Sequence, residues 1–218
     1  MRFTTYAAIF LTLILPLLIF LSVLEYAAFD NKFYEEKFSE YNVGHKVPRV
    51  NFIHLKIMDF VGGKSDSPPE ELNDRERLHL EDVKRLKSAA TIALYFLIAC
   101  FALLLLSSAF ILKVNSYLLS FVGKIMVFGG VLTIIFAVVL LLLINSDFSA
   151  AFDSFHRLFF NEGTYTFDPA TEMLVRIYPE ELFRDLGLMI SKGVVISSLA
   201  LVSLGSLLLI KPKLRKNG

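Results

Sequence analysis

Read from charge to charge, the chain carries four long uncharged stretches, Phe3 to Leu24, Ser88 to Leu112, Ile125 to Ser146 and Gly193 to Ile210. A helix rises 1.5 Å per residue, so about 20 apolar residues cross a hydrocarbon layer roughly 30 Å thick. The pattern therefore predicts four transmembrane helices, at about residues 5–27, 88–112, 124–146 and 190–210, leaving outer segments at about 30–87 and 147–189. In the first outer segment the period changes to that of short amphipathic helices: Phe33, Tyr34, Phe38 and Tyr41 recur at helical spacing, and Ile53, Ile57 and Val61 form a stripe that stops at Gly62-Gly63. Ser65 to Pro69 breaks the chain, Leu72 to Glu76 supplies cap residues, and a new helix carries His79 onward into the second span. The second outer segment turns at Asn161-Glu162-Gly163 and at Asp168-Pro169, and Pro179 followed by Glu180 and Glu181 reads as a helix start. The expected fold is an all-α membrane protein, residues 1–218 forming one integral membrane domain, whose two extracytoplasmic segments make a small, mostly helical cap.

Composition agrees: 55% of the 218 residues are hydrophobic and only 20% charged, with a mean hydropathy of +0.60, too apolar for an ordinary soluble domain. The first apolar run follows Arg2 but is longer than the core of a signal peptide, and no small-x-small site follows Leu24, so an uncleaved anchor kinked at Pro16 is expected. Cys100 is the single cysteine, lies within a span, and reads as a packing residue.

Charge orients the chain. Arg2, Lys113, Lys124, Lys211, Lys213, Arg215 and Lys216 flank the spans on one side with no acid among them, which predicts cytoplasmic termini and a short cytoplasmic connection from Val114 to Gly123. The other side keeps 15 of the 22 basic residues against all 21 acidic ones, Glu25 at the rim included, for an outward net of −6. All four histidines are there too, so chemistry is expected at the extracytoplasmic face of the cell membrane. The basic flanks read as orientation signals and contacts to anionic lipid, and the overall charge of +1 gives no reason to expect nucleic acid.

Two histidine–acid pairs carry the candidate chemistry. His79 and Asp82 lie three apart and share a helix face, where a carboxylate fixes the imidazole tautomer and raises its basicity; Asp153 and His156 repeat the spacing in reverse order. One such pair is more often a structural hydrogen bond, but two on the same side can flank one pocket, one ring taking a proton and the other supporting an oxyanion. A metal site built from the same groups lacks the His-Glu-x-x-His pattern, and neither a metal nor another cofactor is expected. His45 and His54, among Lys46, Arg49 and Lys56, read as solvated loop or interface positions. Phe155, Leu158, Phe159 and Phe160 suit packing or the acyl-chain boundary. Nothing matches a nucleophile elbow, a phosphate loop or a dinucleotide fingerprint, so an acyl-enzyme is not supported.

The block from His79 to Lys84, the block Phe155-His156-Arg157-Leu158-Phe159-Phe160, and the later stretches Phe167 to Thr171 and Tyr178 to Phe183 resemble the signature blocks of the lipoprotein intramolecular transacylase (Lit) family. The resemblance covers nearly the whole chain. It implies a membrane acyltransferase that moves an acyl chain within a diacylglyceryl lipoprotein from the glycerol to the N-terminal cysteine amine, giving the lyso form. Donor and acceptor then share one substrate, which agrees with the missing enzyme nucleophile. By the same resemblance His79 is the base toward the amine and His156 supports the tetrahedral intermediate, while Tyr165 stands where the family carries a tryptophan. The alternatives are a non-catalytic integral membrane protein whose outer segments bind a partner, and a metal-dependent membrane hydrolase.

Overall fold

The computed structural model describes residues 2–113, 116–160 and 163–214. Their regular structure is helical throughout: α1 (Arg2–Ala27), α2 (Asn31–Glu40), α3 (Val43–Lys46), α4 (Val50–Val61), α5 (Asp74–Leu112), α6 (Ser116–Ser146), α7 (Phe148–Phe159), α8 (Leu174–Ile177) and α9 (Glu180–Leu214). Four of them, α1, α5, α6 and α9, are long and apolar enough to cross a membrane, and the all-α, four-span architecture is the one the hydropathy pattern predicts. The connection expected from Val114 to Gly123 is corrected: α6 already begins at Ser116. Leu118, Leu119, Phe121 and Val122 keep the helix apolar there, and Lys124, a long cation with an exposed side chain, does not break it. Val114, Asn115, the turn expected at Asn161-Glu162, and Arg215 and Lys216 lie outside the described residues, as do the side chains of Lys211 and Lys213.

One compact unit takes α1 up to Leu24, α5 from Ile92, α6 as far as Leu142, and α9 from Met189. Its seam between α6 and α9 is made of small residues. A Cβ on Gly123 would stand 2.9 Å from the Gly205 carbonyl oxygen, and one on Gly205 would stand 2.9 Å from the Gly123 oxygen and 2.8 Å from the Met126 Cβ. The backbones approach directly, as helices do in lipid, where apolar burial gives no drive and close packing must supply it. The hydroxyls of Thr133 and Ser198 bond back to the Gly129 and Val194 carbonyls at 2.7 Å, so neither is left unsatisfied. Leu103, Leu106 and Phe110 of α5 face outward, as lipid-contacting side chains do. Gly205→Leu is expected to destabilise the protein by about 1–3 kcal/mol, since a carbonyl cannot rotate away as a side-chain tip can. Thermal unfolding in detergent reads this, with Gly44→Ala, where the added Cβ meets nothing within 4 Å, as the silent control.

The second unit runs from Glu25 to Thr91 and from Leu143 to Leu188. Asp30 caps α2 by accepting from the Lys32 and Phe33 amides at 3.1 and 3.4 Å, and Asp147 caps α7 through the Ala150 amide at 2.9 Å. Gly62 ends α4, and Gly63 takes the left-handed φ of 79° that closes it. The start of α5 is a reciprocal capping box: the Asn73 side chain accepts from the Glu76 amide and Glu76 accepts from the Asn73 amide, each at 2.9 Å. Asp185 accepts from the Tyr41 hydroxyl at 2.7 Å and from Lys37 at 2.5 Å, joining α2 to the first turns of α9. Glu25 pairs with Lys87 at 3.0 Å.

His54 corrects an expectation. It is not solvated but 1% exposed, on the α4 face that also buries Val50, Ile53, Ile57 and Val61. Its ring packs on Tyr34 and Phe38 with centroids 4.4 and 5.2 Å away, and Nδ1 lies 2.8 Å from the Tyr178 hydroxyl. The helix period decides this, because Val50 and Ile57 share its face, whereas Arg49 and Lys56 do not. His45 is exposed, as expected.

Burial lowers the His54 pKa from 6.5 to about 4. As pH falls through 6.5 the unfolded chain gains this proton before the folded one does, so stability present above that value drains away down to about pH 4. Between pH 7 and 5 the loss from one such group is about 2 kcal/mol. Denaturation of His54→Phe at the two pH values should show a smaller pH dependence than the parent, and an equal one would contradict this account.

Candidate active site

His79 lies one turn beyond Glu76 on α5, so the capping box that starts the helix also fixes the azimuth of the imidazole. The ring is 9% exposed and rests on Phe160 and Phe167, whose centroids lie 4.9 and 5.3 Å away. Facing it, at 6.2 Å and 21° from parallel, is the ring of His156 from α7. The two histidines singled out from sequence are thus brought together. At this separation both rings can border one reacting group.

His156 sits among Phe152, Tyr165, Phe160 and Phe155, with centroids 4.2, 5.3, 5.3 and 5.6 Å away. Its Nδ1 is 2.7 Å from the Phe152 carbonyl oxygen. A carbonyl only accepts, so Nδ1 carries the hydrogen and Nε2 is the nitrogen left for a reactant. His79 differs: its Nδ1 is buried with no hydrogen-bond partner among the described residues. Burial first, and the neighbouring His156 second, lower the His79 pKa to about 4, against the opposing charge of Asp82. The ring is therefore held neutral at ordinary pH.

The structure gives the two aspartates partners other than those expected. Asp82 hydrogen-bonds Arg85 and reaches His79 only through its charge. Asp153 pairs with Arg157 at 2.7 Å, and the Phe152 carbonyl orients His156 in its place. In each case a guanidinium one turn along the same helix offers a charge-assisted bond without leaving the surface.

Two acids hold the neighbouring chain: Glu76, read from sequence only as a cap residue, and Glu172, which sequence reasoning missed. Glu76, 1% exposed, accepts from the Leu174 amide at 2.6 Å as well as from Asn73. Glu172, 6% exposed, accepts from Arg75 at 2.8 Å and from the Asp168 amide at 2.6 Å. The Asn-x-x-Glu spacing at Asn73 was a visible sign of the first, whereas Glu172 has no local sequence signature. Among the described residues no serine or cysteine hydrogen-bonds either catalytic-candidate ring, and no group of three or more His, Cys, Asp and Glu side chains is placed to hold a metal ion. The arrangement suits proton transfer and oxyanion support for a substrate that brings its own nucleophile.

The family described as lipoprotein intramolecular transacylase Lit matches residues 9–183. Among solved structures, the chain is similar to the membrane integral lipoprotein intramolecular transacylase Lit from Bacillus cereus, with a TM-score of 0.83 and 19% identity over 98% of this chain and 99% of that one. Two structures of that protein with one histidine replaced, by alanine or by arginine, are similar at TM-scores of 0.80 and 0.74 and identities of 19% and 21%. These cover 98% of this chain and 96% and 97% of theirs, so the whole fold is shared. No curated protein matches the chain.

Proposed function

Because the chain belongs to the lipoprotein intramolecular transacylase family, we propose that it moves an acyl chain within a diacylglyceryl lipoprotein, from the glycerol to the α-amine of the N-terminal cysteine, leaving the lyso form. The observation that carries this is the facing pair of histidines, their ring centroids 6.2 Å apart, with no serine or cysteine among the described residues bonded to either.

The neutral His79 takes a proton from the amine as its nitrogen attacks the ester carbonyl carbon. His156, with Nδ1–H held by the Phe152 carbonyl, turns Nε2 to the reacting group and supports the oxyanion that develops, for which Nε2 must carry a hydrogen at that moment. The carbon–oxygen bond to glycerol then breaks, and His79 returns the proton to the leaving oxygen. One N–C bond is made, one C–O bond is lost, and no co-reactant is needed. The neighbouring His156 is the second cause, after burial, of the lowered His79 pKa, so the two like groups stand in unlike surroundings. Asp82 supports His79 through its charge, and Asp153 supports the α7 surface through Arg157.

This is a multi-pass membrane protein. The sorting of charge along the sequence supports cytoplasmic termini, a site at the extracytoplasmic face, and the bilayer and a diacylated lipoprotein as partners, with residues 1–218 working as one membrane domain. The substrate's ester lies at glycerol depth, near where α5 passes from charged to apolar residues.

The test is mass spectrometry of the N-terminal peptide of a reporter lipoprotein, from cells lacking other N-acylating enzymes and expressing this protein. An acyl group on the amine with one missing from the glycerol is the expected product. An unchanged diacylglyceryl form beside abundant protein would overturn the assignment.

A further inference from the structure

The chain between α7 and α8 is anchored to the first turn of α5 at two points. Glu76 accepts from the Leu174 amide at 2.6 Å, and Glu172 accepts from Arg75 at 2.8 Å. Glu172 also closes the chain on itself: its carboxylate accepts from the Asp168 amide at 2.6 Å, and its own amide donates to the Asp168 carbonyl at 2.8 Å. Arg75 further donates to the Thr166 carbonyl and carries its guanidinium carbon 5.3 Å from the centre of the Phe167 ring. His79, one turn along α5 from Arg75, meets the same ring edge to face at 76°. Phe167 thus touches both the arginine and the candidate base.

We propose that Glu172 is a positioning residue of the transacylation: by clamping this stretch to Arg75 it holds the Phe167 ring against His79 and keeps water off the imidazole. The inference rests on the transacylase reading for its catalytic consequence alone. A surface ion pair does little for a fold, but Glu172 is buried, and both its bonds go to groups that flank Phe167. Around His79 stand His156 from α7, Asp82 from its own helix, and the rings of Phe160 and Phe167, with Arg75 also against Phe167. Of these, Phe167 is the ring whose backbone the Glu172 turn holds. Burial is the first cause of the lowered His79 pKa, so loss of the ring returns the imidazole toward its ordinary value near 6.5.

The experiment follows the His79 ring by NMR in the full-length protein, assigned with His79→Gln and His54→Phe, in Glu172→Ala, Glu172→Gln and Phe167→Leu. Glu172→Ala and Phe167→Leu are expected to raise the His79 titration midpoint by about one pH unit or more. They should also slow transacylation of a diacylated lipopeptide about tenfold in kcat. Glu172→Gln, which keeps an acceptor oxygen, should restore most of both. A midpoint unmoved in folded Glu172→Ala would overturn the inference, whatever Phe167→Leu does. If Glu172→Ala does not fold, Arg75→Leu, which removes the other partner of the clamp, decides in its place by the same midpoint. Parent protein that makes no lyso product would sink the transacylase reading, while the titration would still decide whether the clamp controls His79.

Discussion

Replacing His79 with alanine is expected to lower lyso-lipoprotein formation by about 10²–10⁴-fold while the protein accumulates normally. Loss of stability should be small for a buried residue, because its Nδ1 has no hydrogen bond to forfeit and the substitution removes an unsatisfied polar atom along with the packing. His156→Ala should lose activity on the same scale. The double variant should be little worse than either single one, since groups acting on one reacting centre are not additive. Initial rates with a diacylated lipopeptide, beside circular dichroism of each purified variant, measure both sides of the claim. Activity of His79→Ala within tenfold of the parent would remove His79 from the chemistry.

The largest expected effect on stability belongs to Glu76→Ala. One change removes the returning half of the α5 capping box and leaves the Leu174 amide without its acceptor in a buried place. The lost half of the box costs about 1 kcal/mol and the orphaned Leu174 donor about 1–3 kcal/mol more. At this chain length the sum corresponds to a fall in Tm of about 4–16 °C. Thermal unfolding in detergent would show it, with the exposed Glu81→Ala as a control expected to change little. If Glu76→Ala unfolds with Glu81→Ala, the capping box is not what holds this junction.

The spans were legible because lipid imposes one coarse rule, a run of about 20 residues without a charge, and the chain obeys it four times. The caps were legible for a local reason: Asn73 and Glu76 meet across a single turn, within the range a sequence window covers. The meeting of His79 with His156 was legible only as shared sidedness, and the resemblance made it specific. His54 was misread because its neighbours along the chain are cationic, while its neighbours around the helix, Val50 and Ile57, are apolar. Asp82 and Asp153 were assigned to histidines at three residues' distance, although Arg85 and Arg157 stood at competing distances. Glu172 could not be found at all, because Arg75 lies 97 residues away in sequence.

The hydrogen bond from His156 Nδ1 ends on a carbonyl of its own helix, one turn back. The proton's address is therefore written within α7 and travels with it. Any rigid rocking of that helix, of the kind a double-chained amphiphile would demand on entering or leaving, carries donor and acceptor together and leaves the Nδ1 hydrogen where it is. His79 has no such private tether on Nδ1, so its proton bookkeeping is set anew by whatever molecule arrives. One ring comes ready-labelled and the other is labelled by its guest, an asymmetry that ring spacing alone would never disclose.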